Sequence, residues 1–326
     1  MTKEDLRIVF MGTPEFAVET LKAIVDNGYQ VVGVVTQPDK PVGRHGSVLQ
    51  APAVKQFALE HGLPVLQPEK MKDPAFVEQL RSWQANLQVV VAFRMLPEMV
   101  WAMPEYGTFN VHAALLPDYR GAAPINWAVI NGERQTGVTT FFLDQHIDTG
   151  RIIGQRTFDV PDDADVEYVY DGLMHLGAQL CLETLDAIVA ADGHPASLPQ
   201  DDAKAVHPAP KLFKENTRIE WGRLTAKQAH DFVRGLSPVP GAWTMLKGPD
   251  GKETVMKIYS ARPASEPMPS HEHCVAGTLL RNKKHFYAVC TDGLLQIDSL
   301  QLAGKKRMDA SAFMNGMADI EKYSVI

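Results

Sequence analysis

Residues 6–36 read LRIVFMGTPEFAVETLKAIVDNGYQVVGVVT and predict a strand, a helix and a second strand. The β-branched apolar runs at 6–11 and 30–36 are typical of parallel strands that are covered on both faces. Apolar residues recur near helical spacing in the stretch between them, at Phe16, Val18, Leu21, Ile24 and Val25. The segment therefore predicts the opening unit of an α/β fold.

Signals for both ends of this helix are also present. Thr13 is the predicted N-cap and Pro14 the first helical residue, where its missing N–H costs nothing. Gly28 is expected to take the left-handed conformation that commonly follows a last helical turn. The turn at 12–17 lacks the Gly-x-Gly-x-x-Gly pattern, and Glu15 adds a negative charge, so no dinucleotide cofactor is predicted.

The same alternation of elements continues to about residue 190. Further strands are predicted at 87–93, 107–112, 138–143 and 151–158, and further helices at 54–60, 74–83 and 166–190. Strands that alternate with helices indicate an open, mostly parallel sheet of the Rossmann-like type. We therefore predict an α/β domain over 1–190.

The pattern changes after residue 190. Residues 191–207 are rich in small, polar and turn-forming residues and are predicted to be a linker. One helix is expected near 225–236, followed by short strands at 254–261, 276–280, 286–291 and 294–300. Short strands with closely spaced turns are typical of an OB-like β-barrel, an architecture that often binds nucleic acid. The second predicted domain is 208–326.

Composition agrees with a soluble protein of two domains. The chain has 326 residues, of which 45% are hydrophobic and 22% charged, which excludes disordered, collagen-like and disulfide-dense proteins. The three scattered cysteines predict reduced thiols and a cytoplasmic protein. No apolar run near the start approaches the ~20 residues of a membrane helix, and no signal peptide is predicted.

Charge is divided unevenly along the chain. Residues 208–326 carry 17 Lys and Arg against 12 Asp and Glu, a net charge of +5, whereas residues 1–207 carry 15 against 27, a net charge of −12. A basic barrel on an acidic chain is consistent with a polyanionic partner such as nucleic acid. Ordinary solvated surface is the alternative.

Polar residues able to perform chemistry concentrate between 107 and 150. Asn110 and His112 alternate with apolar residues, so a strand would place both side chains on one face, about 6–7 Å apart. Asp144 and Asp148 follow the next strand in a short loop. Ligand sites of open α/β sheets lie at the carboxyl ends of strands. An Asn, a His and an Asp that meet there can stabilise an oxyanion, move a proton and orient the imidazole.

Simpler structural roles stay open for each of these residues. Asn110 is also a candidate loop cap, and His112 is a candidate buried histidine with satisfied nitrogens. Asp148 is a candidate Asx-turn residue before Gly150. Spacing alone does not show that the three side chains meet.

A long motif in this region is that of a known family. Residues 110–125 read NVHAALLPDYRGAAPI, and the stretches 137–139 and 148–150 read GVT and DTG. Further matching stretches lie at 10–17, 36–44, 209–212, 219–221, 237–243 and 300–308. Over nearly its whole length the chain resembles the 10-formyltetrahydrofolate-dependent formyltransferases, in particular those that act on methionyl initiator tRNA.

The resemblance implies the reaction and its site. The formyl group of 10-formyltetrahydrofolate would move from N10 to the α-amino group of methionine esterified to initiator tRNA, without a metal. Asn110 and His112 would stabilise a tetrahedral oxyanion, and Asp148 would support the imidazole. The loop expected to contact the folate cosubstrate consists of Ala114, Leu115, Leu116 and Pro117.

Other residues are assigned to tRNA on the same basis. The expected tRNA contacts are Lys40, Arg44, Lys305, Lys306 and Arg307. The resemblance also implies a cytoplasmic monomer that does not associate with a membrane. The chain departs from the family pattern at Ala114, which replaces a common serine, and at His146, which replaces a common glycine.

Rival functions stay open at this point. A related formyltransferase could act on a small amine such as an amino sugar or a purine precursor, and a hydrolase could pass the formyl group to water. A non-catalytic relative could simply bind tRNA. The tail motifs at 211–212 and 304–308 favour the tRNA enzyme, and retention of Asn110, His112 and Asp148 favours an enzyme.

Overall fold

The computed structural model describes residues 1–42, 48–265, 274–317 and 319–326. Arg44, one of the expected tRNA contacts, lies outside these residues. The chain divides into two compact units. The first comprises Met1–Gly121, Gln135–Asp159 and Tyr170–Ala209, and the second comprises Ala122–Arg134, Val160–Val169 and Pro210–Ile326. Residues 191–207, predicted to be a linker, belong to the first unit.

The first unit is built on a seven-stranded sheet. In chain order its strands and an added hairpin are β1 (Arg7–Gly12), β2 (Gln30–Val35), the hairpin β3 (Lys40–Val42) and β4 (Val48–Gln50), β5 (Val65–Leu66), β6 (Leu87–Val91), β7 (Thr108–His112), β8 (Gln135–Phe142) and β9 (Ile152–Asp159). The spatial order is β5-β2-β1-β6-β7-β8-β9, with parallel pairing up to β7 and antiparallel pairing from β7 to β9. The predicted mostly parallel, Rossmann-like sheet is confirmed.

Helices lie between or after these strands in the chain. They are α1 (Glu15–Asp26), α2 (Ala53–Glu60), α3 (Pro74–Ser82), α4 (Glu98–Trp101), α5 (Pro124–Ile130) and α6 (Val166–Ala190). By length and composition alone α6 could span a membrane. It packs as a core helix instead, because the Thr184 and Thr140 hydroxyls lie 2.8 Å apart and Leu173, Leu185 and Ile188 are fully buried.

The start of α1 differs from the sequence prediction. Pro14 is the N-cap and the helix begins at Glu15, so the prediction of Thr13 as N-cap was wrong. The Thr13 hydroxyl is buried, and no described residue is its hydrogen-bond partner. A distant hydroxyl takes its place, because the backbone N–H of Phe16 donates to Tyr170 Oη at 2.9 Å. At the other end Gly28 has a φ of 76°, as predicted.

The second unit is an antiparallel, nearly closed barrel, as predicted. Its strands are β10 (Ala242–Lys247), β11 (Glu253–Pro263), β12 (Leu279–Arg281), β13 (Phe286–Val289), β14 (Leu294–Leu302), β15 (Met308–Asp309) and β16 (Ser324–Val325). The order is β12-β13-β14-β11-β10-β16, with β15 paired to β14. A bridge between Thr278 and Ser324 brings the two ends of the order together. Trp221 is buried in the barrel core, where its indole N–H donates to Thr244.

Two further helices, α7 (Ala226–Leu236) and α8 (Ala310–Gly316), complete the second unit. Helix α7 holds α5, since the Asn126 side-chain amide donates to the Gly235 carbonyl at 2.9 Å. On α7, Arg234 pairs with buried Asp231 at 2.7 Å and donates to the Ala164 carbonyl at 2.8 Å. These contacts explain why 122–134 and 160–169 are grouped with the C-terminal residues.

Candidate active site

His112 ends β7 and is held by two neighbouring loops. Its side chain is 6% exposed, with Nε2 2.9 Å from the Tyr119 carbonyl oxygen and Nδ1 3.9 Å from Asp148 Oδ2. A carbonyl oxygen can only accept, so Nε2 carries a proton in this arrangement. The neutral ring therefore presents an unprotonated Nδ1 to Asp148, and a cationic ring would point its Nδ1–H at that carboxylate. The family resemblance implied that Asp148 supports this imidazole, and the structure brings the two side chains together.

The two carboxylates of the 144–150 loop have different surroundings. Asp144 Oδ1 accepts from the His146 backbone N–H at 2.9 Å and from the Thr149 hydroxyl at 2.7 Å, so Asp144 organises the loop. Asp148 has a φ of 56° and its Oδ2 accepts from the Gly121 N–H at 2.9 Å. The Asx-turn role thus falls to Asp144, while Asp148 faces the histidine. The side chain of His146 is exposed.

A close backbone approach explains the glycine that ends this loop. A Cβ atom at Gly150 would overlap the carbonyl oxygen of Phe142. Phe142 in turn donates its N–H to the Arg151 carbonyl at 3.0 Å, which closes the loop onto β8. Only glycine permits this approach, so the loop that carries Asp148 is fixed by sterics as well as by hydrogen bonds.

Asn110 lies in the middle of the sheet, opposite Val90 of β6 and Phe141 of β8. Its Oδ1 is buried, and no described residue is its hydrogen-bond partner. A buried polar atom without a partner costs free energy, so such an atom in a folded protein calls for an explanation. A ligand that donates a hydrogen bond to this oxygen, such as an amine, would supply one. The structure therefore fits a substrate-facing role for Asn110, whereas it does not show Asn110 bonded to His112 or Asp148.

The loop 114–117 is rigidly held by side chains of the sheet. The Thr139 hydroxyl donates to the Ala114 carbonyl at 2.6 Å and accepts from the Leu116 N–H at 3.1 Å. The Gln155 amide donates to the Leu116 carbonyl at 2.8 Å. Ala114 is fully buried, so the replacement of the family's serine changes the interior of the loop. A cosubstrate would meet a preorganised loop here.

The basic residues expected to contact tRNA are exposed where the structure describes them. Lys40 lies on β3, and Lys305 and Lys306 lie in the turn between β14 and β15. Arg307 differs from these lysines, because its Nε donates to Ser299 Oγ at 2.8 Å and its guanidinium stacks over the Tyr259 ring. Part of its hydrogen-bonding capacity is therefore already used inside the barrel.

Sequence reasoning missed the side chains and carbonyls that hold the site. Tyr119, Thr139 and Gln155 were given no role, although each contacts His112 or the loop 114–117. Thr139 lies within one of the family-like motifs, which is the available signal. Gln155 offers none, because its partners are 16 and 39 residues away in the chain.

Comparison with known proteins identifies the family. The family model "Formyl transferase" matches residues 6–185, and "Formyl transferase, C-terminal domain" matches residues 211–318. The methionyl-tRNA formyltransferase of Parabacteroides distasonis is 57% identical over 330 residues, which cover 100% of both chains.

Solved structures agree in fold. An N-formyltransferase from Helicobacter canadensis, in complex with folinic acid and dTDP-3-aminofucose, gives a TM-score of 0.63 at 17% identity over 93% of this chain and 100% of that one. HypX from Aquifex aeolicus, in complex with tetrahydrofolic acid, gives 0.61 at 20% identity over 96% of this chain and 48% of that one. With both family models matched in chain order and a full-length relative at this identity, the chain belongs to the formyl transferase family and is an enzyme.

Proposed function

We propose that the protein transfers the formyl group of 10-formyltetrahydrofolate to the α-amino group of methionyl initiator tRNA, giving N-formylmethionyl-tRNA. The observation that carries the chemistry is the buried His112–Asp148 pair at the end of β7, two residues along the strand from Asn110, whose Oδ1 is buried without a partner among the described residues. The acceptor is inferred from the full-length relative at 57% identity, which is named for methionyl-tRNA. The expected localisation is the cytoplasm, and the expected state is a monomer.

The reaction moves one proton from the nitrogen of the α-amine to N10 of the folate. A free α-amine has a pKa of about 7.7–8.0, so a useful fraction is neutral and nucleophilic near pH 7. Its attack on the formyl carbon forms the new C–N bond and a tetrahedral oxyanion. Collapse of that oxyanion breaks the bond to N10 of the folate, while the proton lost by the amine replaces the bond at N10. The protein must therefore stabilise an oxyanion and carry one proton.

The geometry of the side chains supports a role for each of them. The Asn110 amide can donate to the oxyanion, and loss of one such donor typically costs about 2.7–4 kcal/mol in the barrier. His112 is fixed by the Tyr119 carbonyl, so the ring does not have to be oriented during the reaction. When the ring gains a proton, Asp148 accepts a hydrogen bond from Nδ1–H after a small approach from 3.9 Å. The loop 114–117 is the proposed folate contact, and no metal is needed.

The tRNA contacts are proposed to be electrostatic. Lys40, Lys305 and Lys306 present exposed ammonium groups, and Arg44 and Arg307 complete the proposed set. Contacts of this kind position a nucleic acid through its phosphates without reading sequence.

A formyl-transfer assay with 10-formyltetrahydrofolate and methionyl initiator tRNA tests the proposal directly, with the released amino acid identified by mass. Formylmethionine well above the no-enzyme control is the expected product. Formate release without transfer would instead indicate the hydrolase. Transfer only to small amines would indicate a related formyltransferase that acts on an amino sugar or a purine precursor. A His112→Ala variant should lose turnover by orders of magnitude with tRNA affinity nearly intact, whereas unchanged turnover would remove His112 from the mechanism.

A further inference from the structure

The segment 198–209 is fastened beside the His112–Asp148 pair. Leu198 and Ile152 exchange two backbone hydrogen bonds, each of 2.8 Å. Farther along, the Tyr119 N–H donates to the His207 carbonyl and the Ala209 N–H donates to the Arg120 carbonyl, both at 2.8 Å. A stretch whose composition predicts a linker therefore runs along two loops of the site.

Gln200 lies between these attachments and uses its whole side-chain amide. Nε2 donates to the Asp148 carbonyl at 2.9 Å and to the Gly150 carbonyl at 2.8 Å. Oε1 accepts from Arg120 Nε at 3.1 Å and Nη2 at 2.7 Å. A guanidinium can only donate and a carbonyl can only accept, so the orientation of the amide is determined by its partners. Gln200 is therefore a fully satisfied bridge between the loop at 118–121 and the loop at 144–150.

Three consecutive residues of the loop at 118–121 each hold a different part of the site. The Tyr119 carbonyl accepts from His112 Nε2, the Arg120 guanidinium holds Gln200, and the Gly121 N–H donates to Asp148 Oδ2. Asp148 itself has left-handed backbone, which an L-residue adopts only at some cost. Its carboxylate direction depends on that backbone, and Gln200 is the side chain that bonds the Asp148 carbonyl. Gln200 thus holds the backbone from which the Asp148 carboxylate approaches His112 to 3.9 Å, while the Gly121 N–H holds the carboxylate itself.

We infer that Gln200 is a positioning residue for formyl transfer: it fixes the Asp148 backbone so that the carboxylate faces His112 Nδ1. This inference rests on the proposed catalytic role of that pair. Because Gln200 touches neither reacting atom, its loss acts on the rate of transfer and leaves the binding of both substrates unchanged.

Two variants test this in the full-length enzyme. Gln200→Glu keeps an acceptor for Arg120 but places carboxylate oxygens against two carbonyls, and Gln200→Met keeps the length of the side chain with no hydrogen bond. We expect kcat to fall about 10- to 100-fold in both, with KM for the folate and the tRNA within about twofold of wild type. The matched controls Gln79→Glu and Gln79→Met, on the exposed face of α3, should leave kcat unchanged. Wild-type kcat in both Gln200 variants would overturn the inference.

A double-mutant cycle separates positioning from general destabilisation. If Gln200 acts through Asp148, adding Gln200→Met to Asp148→Asn should lower single-turnover rates by less than about twofold further. Equal fold losses in the two backgrounds would show that Gln200 acts independently of Asp148, and the inference would fail.

A spectroscopic readout keeps the inference testable without turnover. In protein with 13C-labelled histidine, the ring signal assigned to His112 by its absence in His112→Ala should move in Gln200→Met and stay in place in Gln79→Met. An unmoved signal would overturn the inference even if the wild-type enzyme used another acceptor. Absence of formylmethionine from the wild type, with a moved signal, would overturn the proposed acceptor alone.

Discussion

Asn110 and Thr139 represent opposite uses of buried polar groups on adjacent strands. Thr139 is fully buried, and its hydroxyl makes three hydrogen bonds, with the Ala114 carbonyl, the Leu116 N–H and the Gln155 amide. Asn110 Oδ1 is buried and has no partner among the described residues. The hydrogen bonds of Thr139 stabilise the fold, whereas the unpartnered oxygen of Asn110 lowers the free energy of unfolding. The two residues should therefore respond differently to truncation.

Asn110→Ala is expected to separate activity from stability. Loss of the proposed oxyanion donor should lower kcat about 100- to 1000-fold. The same change removes an unpaired buried acceptor, so the free energy of unfolding should change by less than about 1 kcal/mol. Steady-state kinetics and urea unfolding measure the two effects. A large loss of stability with normal kcat would show that Asn110 is structural.

Thr139→Val is expected to do the reverse. The substitution keeps the shape of the side chain but leaves the Ala114 carbonyl and the Leu116 N–H without their partner, which should cost about 1–3 kcal/mol. Because the loop 114–117, the proposed folate contact, loosens, KM for the folate should rise more than kcat falls. Thr20→Val is the control, since the Thr20 hydroxyl is fully buried and no described residue pairs with it. Equal destabilisation by both variants would contradict the assigned hydrogen bonds.

At the scale of elements, the periodicity of apolar residues predicted those strands and helices that the local sequence determines. The strands around Val9, Val34 and Val89 and the long helix α6 formed where apolar patterns placed them. Strand β10 was missed, because its short run follows a cluster of Pro and Gly residues that predicts only a turn. The prediction of Thr13 as the N-cap was wrong for another reason. Tyr170, far away in the chain, supplies the acceptor for the backbone N–H of Phe16 at the start of α1. Gln200 likewise gave no signal, because its partners depend on how the loops are folded.

The hairpin β3–β4 gives a prediction about pH. Immediately before β3, the Asp39 carboxylate accepts from the Gln67 amide at 2.7 Å and from Lys55 Nζ at 2.7 and 2.9 Å. These hydrogen bonds, that of Gln67 foremost, hold the pKa of Asp39 below its ordinary value. A lowered folded-state pKa stabilises the protein above the unfolded pKa of about 3.9, and this contribution is lost as the pH falls through the lowered value.

Asp39→Asn should therefore destabilise the protein at neutral pH and much less in acid. The difference in free energy of unfolding between wild type and Asp39→Asn is expected to be constant from pH 7 to about pH 5 and to shrink below about pH 4. Urea unfolding at a series of pH values measures it. A difference that stays the same at pH 3 would indicate that the carboxylate charge contributes nothing at this position.

At the scale of the whole molecule, the uneven distribution of charge along the chain affects the proposed binding of tRNA. A net charge of −12 over residues 1–207 repels a polyanion, so the proposed binding of tRNA would rely on local clusters of cations rather than on the average field. The turn between β14 and β15 is such a cluster, with Lys305 and Lys306 exposed. Arg307 is partly engaged by Ser299 and Tyr259 and also supports the barrel, so the two lysines give the cleaner test.

Replacing both lysines, Lys305→Ala with Lys306→Ala, should weaken tRNA binding and flatten its salt dependence. Each lost phosphate contact removes about 0.7–0.9 from the slope of log Kd against log salt, so the double variant should lose roughly 1.5. The control pair Lys283→Ala with Lys284→Ala removes the same charge from the exposed turn between β12 and β13. Equal slopes for the two pairs would mean that net charge alone acts. A smaller slope only for the first pair would assign phosphate contacts to the β14–β15 turn, because a field that depends on net charge cannot distinguish two turns of the same barrel.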